Sequence, residues 1–279
     1  MFTLGVNGNY NFYKLKQAKA LPDIRSGICL QEKIDGYRVV FIRDKKGKLT
    51  VRTKNLDITF LFKHITIPIG CTLEGEMFHV RGLNYLNSLV SAKKDISRLK
   101  SDEKPKVYFF DVKTYRGKNL SNEPYSNRLK ALDLIFLSMS QSIHARKIDT
   151  YTDNFNELLS DFEARGSEGV VVKDLDSSYG ESQYKIKFTR DIPFLITGIT
   201  KTSLQVGFTT AKGQLKRTGS IKHTKQALKQ LDNFKVGQVI EVECYGVSEN
   251  LAPISGKLKY IRLDRDSADI TREYITEHK

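Results

Sequence analysis

The chain has 279 residues, enough for a sizeable core and long for one compact domain, so one larger and one smaller domain are expected. Lys and Arg total 46 against 32 Asp and Glu, a formal charge of +14 that points to a polyanionic partner, although a merely solvated basic surface gives the same number. Three isolated cysteines, Cys29, Cys71 and Cys244, exclude a disulfide framework and a four-cysteine zinc site, and the absence of a leader or a long apolar run predicts a soluble, cytoplasmic protein that does not engage a membrane.

In chain order, β-prone apolar runs fall at Tyr37 to Arg43, Leu49 to Thr53, Thr72 to Phe78, Val107 to Val112, Val170 to Lys173 and Tyr184 to Phe188. Leu129, Leu132, Phe136 and Met139 recur at helical steps behind Ser126, predicting a capped amphipathic helix over 126–140. Phe155, Leu158, Leu159 and Phe162 form a second helical stripe that ends at Gly166.

The pattern changes around Thr189 to Pro193, so the boundary is placed there: residues 1–189, an α+β domain, and residues 190–279, a small all-β domain. Beyond it come short strands at Phe194 to Thr200, Leu204 to Thr210, Gln238 to Val247 and Lys257 to Leu263, with one helix near Thr224 to Leu231. About 90 residues of this kind suit a small barrel.

The first chemical motif is Gln31-Glu32-Lys33-Ile34-Asp35-Gly36-Tyr37-Arg38, a lysine ahead of a glycine turn and a strand. Further along stand Arg52-Thr53, then Leu73-Glu74-Gly75-Glu76, then Tyr108-Phe109-Phe110-Asp111, then Glu168-Gly169-Val170-Val171-Val172-Lys173, then Lys185-Ile186-Lys187, and last Arg262-Leu263-Asp264-Arg265. Each alone can also be read as a charged turn, a core aromatic or a solvated strand edge. Their order and spacing over residues 31–266 resemble the covalent nucleotidyltransferases: ATP-dependent DNA ligases, RNA ligases and capping guanylyltransferases.

The lysine chemistry can be argued from the residues. A neutral amine attacking the α-phosphate of ATP forms a phosphoramidate and releases pyrophosphate. With an ordinary pKa near 10.4, only about one lysine in a thousand is neutral near pH 7.4, so neighbouring cations that disfavour the ammonium form would help. Lys185 and Lys187, two apart on a strand, project from one face and are suited to that task.

The resemblance implies the remaining roles. Lys33 is the nucleophile that carries AMP. Lys185, Lys187, Arg262, Asp264 and Arg265 assist catalysis, Arg265 standing where the family has lysine. Gln31, Glu32, Arg38, Arg52, Glu76, Phe110 and Lys173 bind ATP, with Phe110 stacking on adenine. Glu168 and Glu76 hold Mg²⁺ or Mn²⁺. Arg38, Lys212, Lys216, Arg217, Lys222 and Lys225 contact DNA, the last five on a barrel loop. Glu74, where the family more often has Asp, is given no role.

The fold implied is a nucleotidyltransferase domain of antiparallel sheets flanked by helices, followed by an oligonucleotide-binding barrel. The activity implied is sealing of 5′-phosphate/3′-hydroxyl nicks in duplex DNA by a monomer using ATP. RNA ligation and capping share the lysyl chemistry and remain alternatives, as does a non-catalytic nucleic-acid-binding protein.

Overall fold

The computed structural model describes residue 10 and residues 12–24, 27–92, 96–139, 142–222 and 234–278. The chain divides into two compact units, 1–186 and 187–279. No helix among the described residues is long and apolar enough to cross a membrane.

Two sheets build the first unit. One runs in the order β1 (Lys16–Gln17), β10 (Gln183–Lys187), β9 (Gly169–Asp174), β2 (Ile28–Glu32). The other runs β4 (Leu49–Arg52), β3 (Tyr37–Arg43), β5 (Cys71–Phe78), β6 (Lys106–Tyr115), β7 (Lys118–Asn119), with β8 (Ala145–Lys147) parallel to β6. The β2 strand, polar at its Gln31-Glu32 end, is one that the sequence reading passed over.

Strand alternation divides the second sheet by function. Val39 and Phe41 of β3, Val51 of β4, Leu73 and Met77 of β5 and Val107 and Phe109 of β6 are all buried in one apolar cluster. On the opposite face, register sets Arg38 against Glu76, and Val40 against both Glu74 and Arg52. Four charged side chains therefore share the face that the core does not use.

Helix α1 (Gly82–Ser91) buries Leu86 and Leu89. Helix α2 (Tyr125–Ser138) starts behind Pro124 with no side-chain cap, so Ser126 does not cap it. Its buried face is Tyr125, Arg128, Ala131, Leu132 and Ile135, turned from the Leu129 stripe that periodicity suggests. The reason is electrostatic: the fully buried Arg128 donates to both carboxylate oxygens of Asp111 at 2.8 and 3.2 Å and to the Glu123 and Ser177 carbonyls. Helix α3 (Phe155–Ala164) follows its predicted stripe, and Gly166, at φ +78°, terminates it.

The second unit is an antiparallel five-stranded sheet. Its order is β13 (Leu215–Lys222), β12 (Ser203–Thr209), β11 (Arg190–Ile199), β14 (Val239–Cys244), β15 (Lys257–Arg262). Phe194, Ile196, Val206, Ile240 and Val242 form its core with Ile275 of α4 (Arg272–Glu277). Strand β11 begins at Arg190, and Pro193 lies in register with Glu241. No ladder joins β13 to β15 among the described residues. The helix expected near 224–231 lies outside the described residues.

Candidate functional site

Lys33 follows the last residue of β2, and its backbone N–H donates to the Gly169 carbonyl at the start of β9 at 2.9 Å. Ser167 Oγ donates to the Glu32 carboxylate at 2.5 Å, tying the same corner together. The turn then crosses to the other sheet at Gly36. A Cβ at that position would lie 2.1 Å from the Met77 carbonyl oxygen, so only glycine lets the turn lie this close to β5. Gly36 thus shapes the turn.

The side chain of Lys33 enters a cavity of about 480 Å³, part of it open to solvent. Both sheets contribute walls: Gln31, Glu32, Val171 and Lys173 from one, Arg38, Glu76 and Phe110 from the other. Most of the nucleotide-binding residues expected from sequence are therefore brought together. Arg52 is not in that lining, although it shares the charged sheet face.

Lys33 Nζ is ion-paired with the Glu168 carboxylate, both only partly exposed. Glu76 lies opposite Arg38, and burial raises its carboxyl to about 8, with Lys33 and Arg38 pulling back and Glu168 and Asp35 pushing further up. The site thus concentrates carboxylate charge that burial penalises. Two carboxylates of this kind suit a hard divalent cation that takes its other ligands from phosphate and water. No group of three or more His, Cys, Asp or Glu is arranged to hold a metal among the described residues.

Two cations lie near the Phe110 ring, Lys173 Nζ at 4.7 Å and the Arg38 guanidinium carbon at 5.4 Å from its centre. Lys173 itself is 1% exposed, donates to the Phe110 carbonyl at 3.1 Å and to Tyr125 Oη at 3.0 Å, and is lowered to about 8 by burial. It supports the floor of the cavity as much as it faces a ligand. Gln31 Nε2 donates to Tyr125 Oη at 2.8 Å and to Thr150 Oγ1 at 2.9 Å, the same supporting network.

Arg38 donates to the Tyr13 carbonyl at 2.9 Å and to Glu74, and its guanidinium stacks 3.9 Å from the Tyr13 ring centre. The Nε atoms of Arg38 and Arg52 are buried with no hydrogen-bond partner among the described residues. Orphaned guanidinium N–H groups on one sheet face mark a place where an anion would complete the network. Glu74, passed over in the sequence, is fully buried at the centre of this region. The acid-Gly-acid spacing of Glu74 and Glu76, which sets both on one strand face, is the signal that could have found it.

In the first unit, Lys185 lies on β10, opposite Gln17 of β1 and outside the cavity lining. Buried Ile186 separates it from Lys187, as the alternation requires. In the second unit, Lys187 Nζ lies 5.0 Å from the Tyr245 ring centre. Arg262 pairs with both oxygens of Asp264 at 2.7 Å and with Glu241 at 2.6 Å. Arg265 lies 5.5 Å from the Tyr274 ring centre. Lys216, Arg217 and Lys222 are exposed along edge strand β13, with Lys212 in the turn before it, so this basic segment is a strand rather than a loop. Lys225 lies outside the described residues.

A family model described as the ATP dependent DNA ligase domain matches residues 12–188. DNA ligase C2 of Mycolicibacterium smegmatis is 22% identical over 196 residues, covering 65% of this chain and 55% of the relative. The DNA ligase of Methanothermobacter thermautotrophicus is 27% identical over 178 residues, covering 57% of this chain and 31% of the relative. The chain thus spans about half the length of the first of these and about a third of the second. Among solved structures, one titled for DNA binding with a minimal scaffold by Lig E DNA ligases superposes with a TM-score of 0.61 at 17% identity, covering 91% of this chain and 99% of the other. The ligase domain of M. tuberculosis LigD gives 0.50 at 17% identity, covering 92% and 98%. At these identities the structures show a shared fold.

Proposed function

The chain belongs to the ATP-dependent DNA ligase family, its match to that domain covering residues 12–188, and from this we propose that it seals 5′-phosphate/3′-hydroxyl nicks in duplex DNA through AMP carried on Lys33. The observation that carries the reading is that Lys33 lines one cavity together with Phe110, Arg38 and Glu76.

In the first step Lys33 Nζ attacks the α-phosphorus of ATP. An N–P bond forms, the bond to pyrophosphate breaks, and the amine gives up a proton. Glu168, already hydrogen-bonded to Nζ, is placed to hold that proton. The amine must leave this carboxylate to reach the phosphorus, so Glu168 also sets how readily it does so. Phe110 stacks on the adenine, and the cationic Lys173 beneath supports it.

In the second step an oxygen of the nick's 5′-phosphate attacks the lysyl-bound phosphorus, the N–P bond breaks, and Lys33 regains its amine and proton. In the third, the 3′-hydroxyl attacks the 5′-phosphorus, loses its proton and expels AMP. Glu76 and Glu168 would hold Mg²⁺ or Mn²⁺, which would supply stabilisation of the charge that develops on the phosphates. Lys185 and Lys187 would do the same from the protein, and Arg262, Asp264 and Arg265 would orient the departing pyrophosphate.

We assign the second unit the role of an oligonucleotide-binding domain whose basic strand β13 grips duplex phosphates, in a monomeric enzyme. Incubation with labelled ATP or labelled GTP, followed by a nicked duplex, tests the reading. Label on the protein from ATP and a sealed strand are expected; an adduct formed only with GTP would make it a capping enzyme.

A further inference from the structure

Behind Arg38, on the side away from the core, Glu74 gathers three donors. Tyr10 Oη donates to Glu74 Oε1 at 3.1 Å, Tyr179 Oη donates to the same oxygen, and Arg38 Nη2 donates to Oε2. The carboxylate is fully buried, so these donors are what makes its charge tolerable there. The tyrosines are held in turn: Lys113 Nζ lies 5.2 Å from the Tyr10 ring centre and 4.8 Å from that of Tyr179. Tyr13 closes the cluster, edge-on to Tyr179 at 4.9 Å and with its ring against Arg38.

Two cavities meet at Arg38. One is the nucleotide cavity around Lys33. The second is a groove lined by Phe12, Lys14, Tyr37 and Lys54 among others; Tyr13 and Arg38 line both, and the groove's lining holds no carboxylate. A cationic, acid-free groove that shares a guanidinium with the nucleotide cavity suits a phosphorylated strand end. Neither Tyr10 nor Tyr179 lines either cavity.

We propose that Glu74, Tyr10 and Tyr179 are positioning residues that lock the Arg38 guanidinium between the two cavities, so that it discriminates a 5′-phosphorylated nick from an unphosphorylated one. Left to itself, an arginine loses rotamer freedom when it binds a phosphate. A guanidinium already fixed by a carboxylate, a carbonyl and a ring face loses little, and its orientation selects a phosphate in one place. Two hydroxyls on one carboxylate oxygen leave the other oxygen to Arg38, which fixes the plane of the fork. This rests on the ligase reading and adds to it the residues that set end recognition.

The test measures affinity of the full chain, in EDTA to block catalysis, for one nicked duplex carrying either a 5′-phosphate or a 5′-hydroxyl. The wild type is expected to prefer the phosphate by about 10-fold or more, the size of one charge-assisted contact, and Arg38→Ala to bring the ratio near 1. Tyr179→Phe and Tyr10→Phe, which each remove one hydroxyl, should lower the ratio about 3-fold or more while affinity for the hydroxyl nick stays within about 2-fold. Adding Tyr179→Phe to Arg38→Ala should change the ratio no further. Wild-type ratios in both single tyrosine variants overturn the proposal, and so does equal weakening on both duplexes, the signature of a general packing defect. A wild type that forms lysyl-AMP but shows no phosphate preference also overturns it and leaves the ligase reading intact, whereas absence of any adduct sinks that reading itself.

Discussion

Glu76 is the residue whose environment speaks most directly to pH. Its folded carboxyl is raised from an ordinary 4.5 to about 8, chiefly by burial, so the folded chain holds this proton more tightly than the unfolded one. Its contribution to stability is therefore fully present below the ordinary value and is lost as pH rises toward about 8. Glu76→Gln stays neutral throughout, so without metal its Tm should gain on the wild type as pH rises from about 5 to about 8. A Tm difference that does not change with pH over that range would contradict the assignment. At this scale the sequence was informative where motifs stood in a known order: Lys33, Arg38, Glu76 and Phe110 all line the cavity. It was silent on Tyr10, Tyr13 and Tyr179, because an aromatic beside a strand reads as core until its hydroxyl partner is seen.

The turn from β2 to β3 carries Lys33 between the two sheets, and its closeness to β5 is what aims the amine. Gly36→Ala would set a Cβ 2.1 Å from the Met77 carbonyl and 3.0 Å from Glu76 Cγ, so the turn, β5 or both must move. Overpacking of this kind typically destabilises by about 1 to 3 kcal/mol, and a displacement near 1 Å at a nucleophile can slow a reaction by about 100-fold. We expect Gly36→Ala to fold with a lowered Tm and to form lysyl-AMP at least about 10-fold more slowly. A wild-type adduct rate, timed in a single turnover, would show that the turn does not set the geometry. Strand β3, an apolar β-prone run, was legible to the residue. Strand β13 was not, since Lys216, Arg217 and Thr218 show no apolar face and only pairing with β12 makes it a strand. Helix α2 was found but misoriented, because periodicity counts an arginine as surface and Arg128 is buried on Asp111.

The whole chain separates the proposed chemistry between two units with their own cores. Lys33, Glu76, Glu168 and Phe110 belong to the first; Lys187, Arg262 and Asp264 belong to the second. Strand β11 begins at Arg190, within the Thr189 to Pro193 stretch where the sequence pattern changes. Excess positive charge alone could not distinguish a binding protein from an enzyme. The central claim is that this one amine carries AMP. Intact mass and peptide mapping after incubation with ATP and Mg²⁺ should find one AMP per chain on Lys33, and none on Lys33→Ala, which should still seal a nick supplied already adenylated. An adduct of undiminished stoichiometry on Lys33→Ala would contradict it.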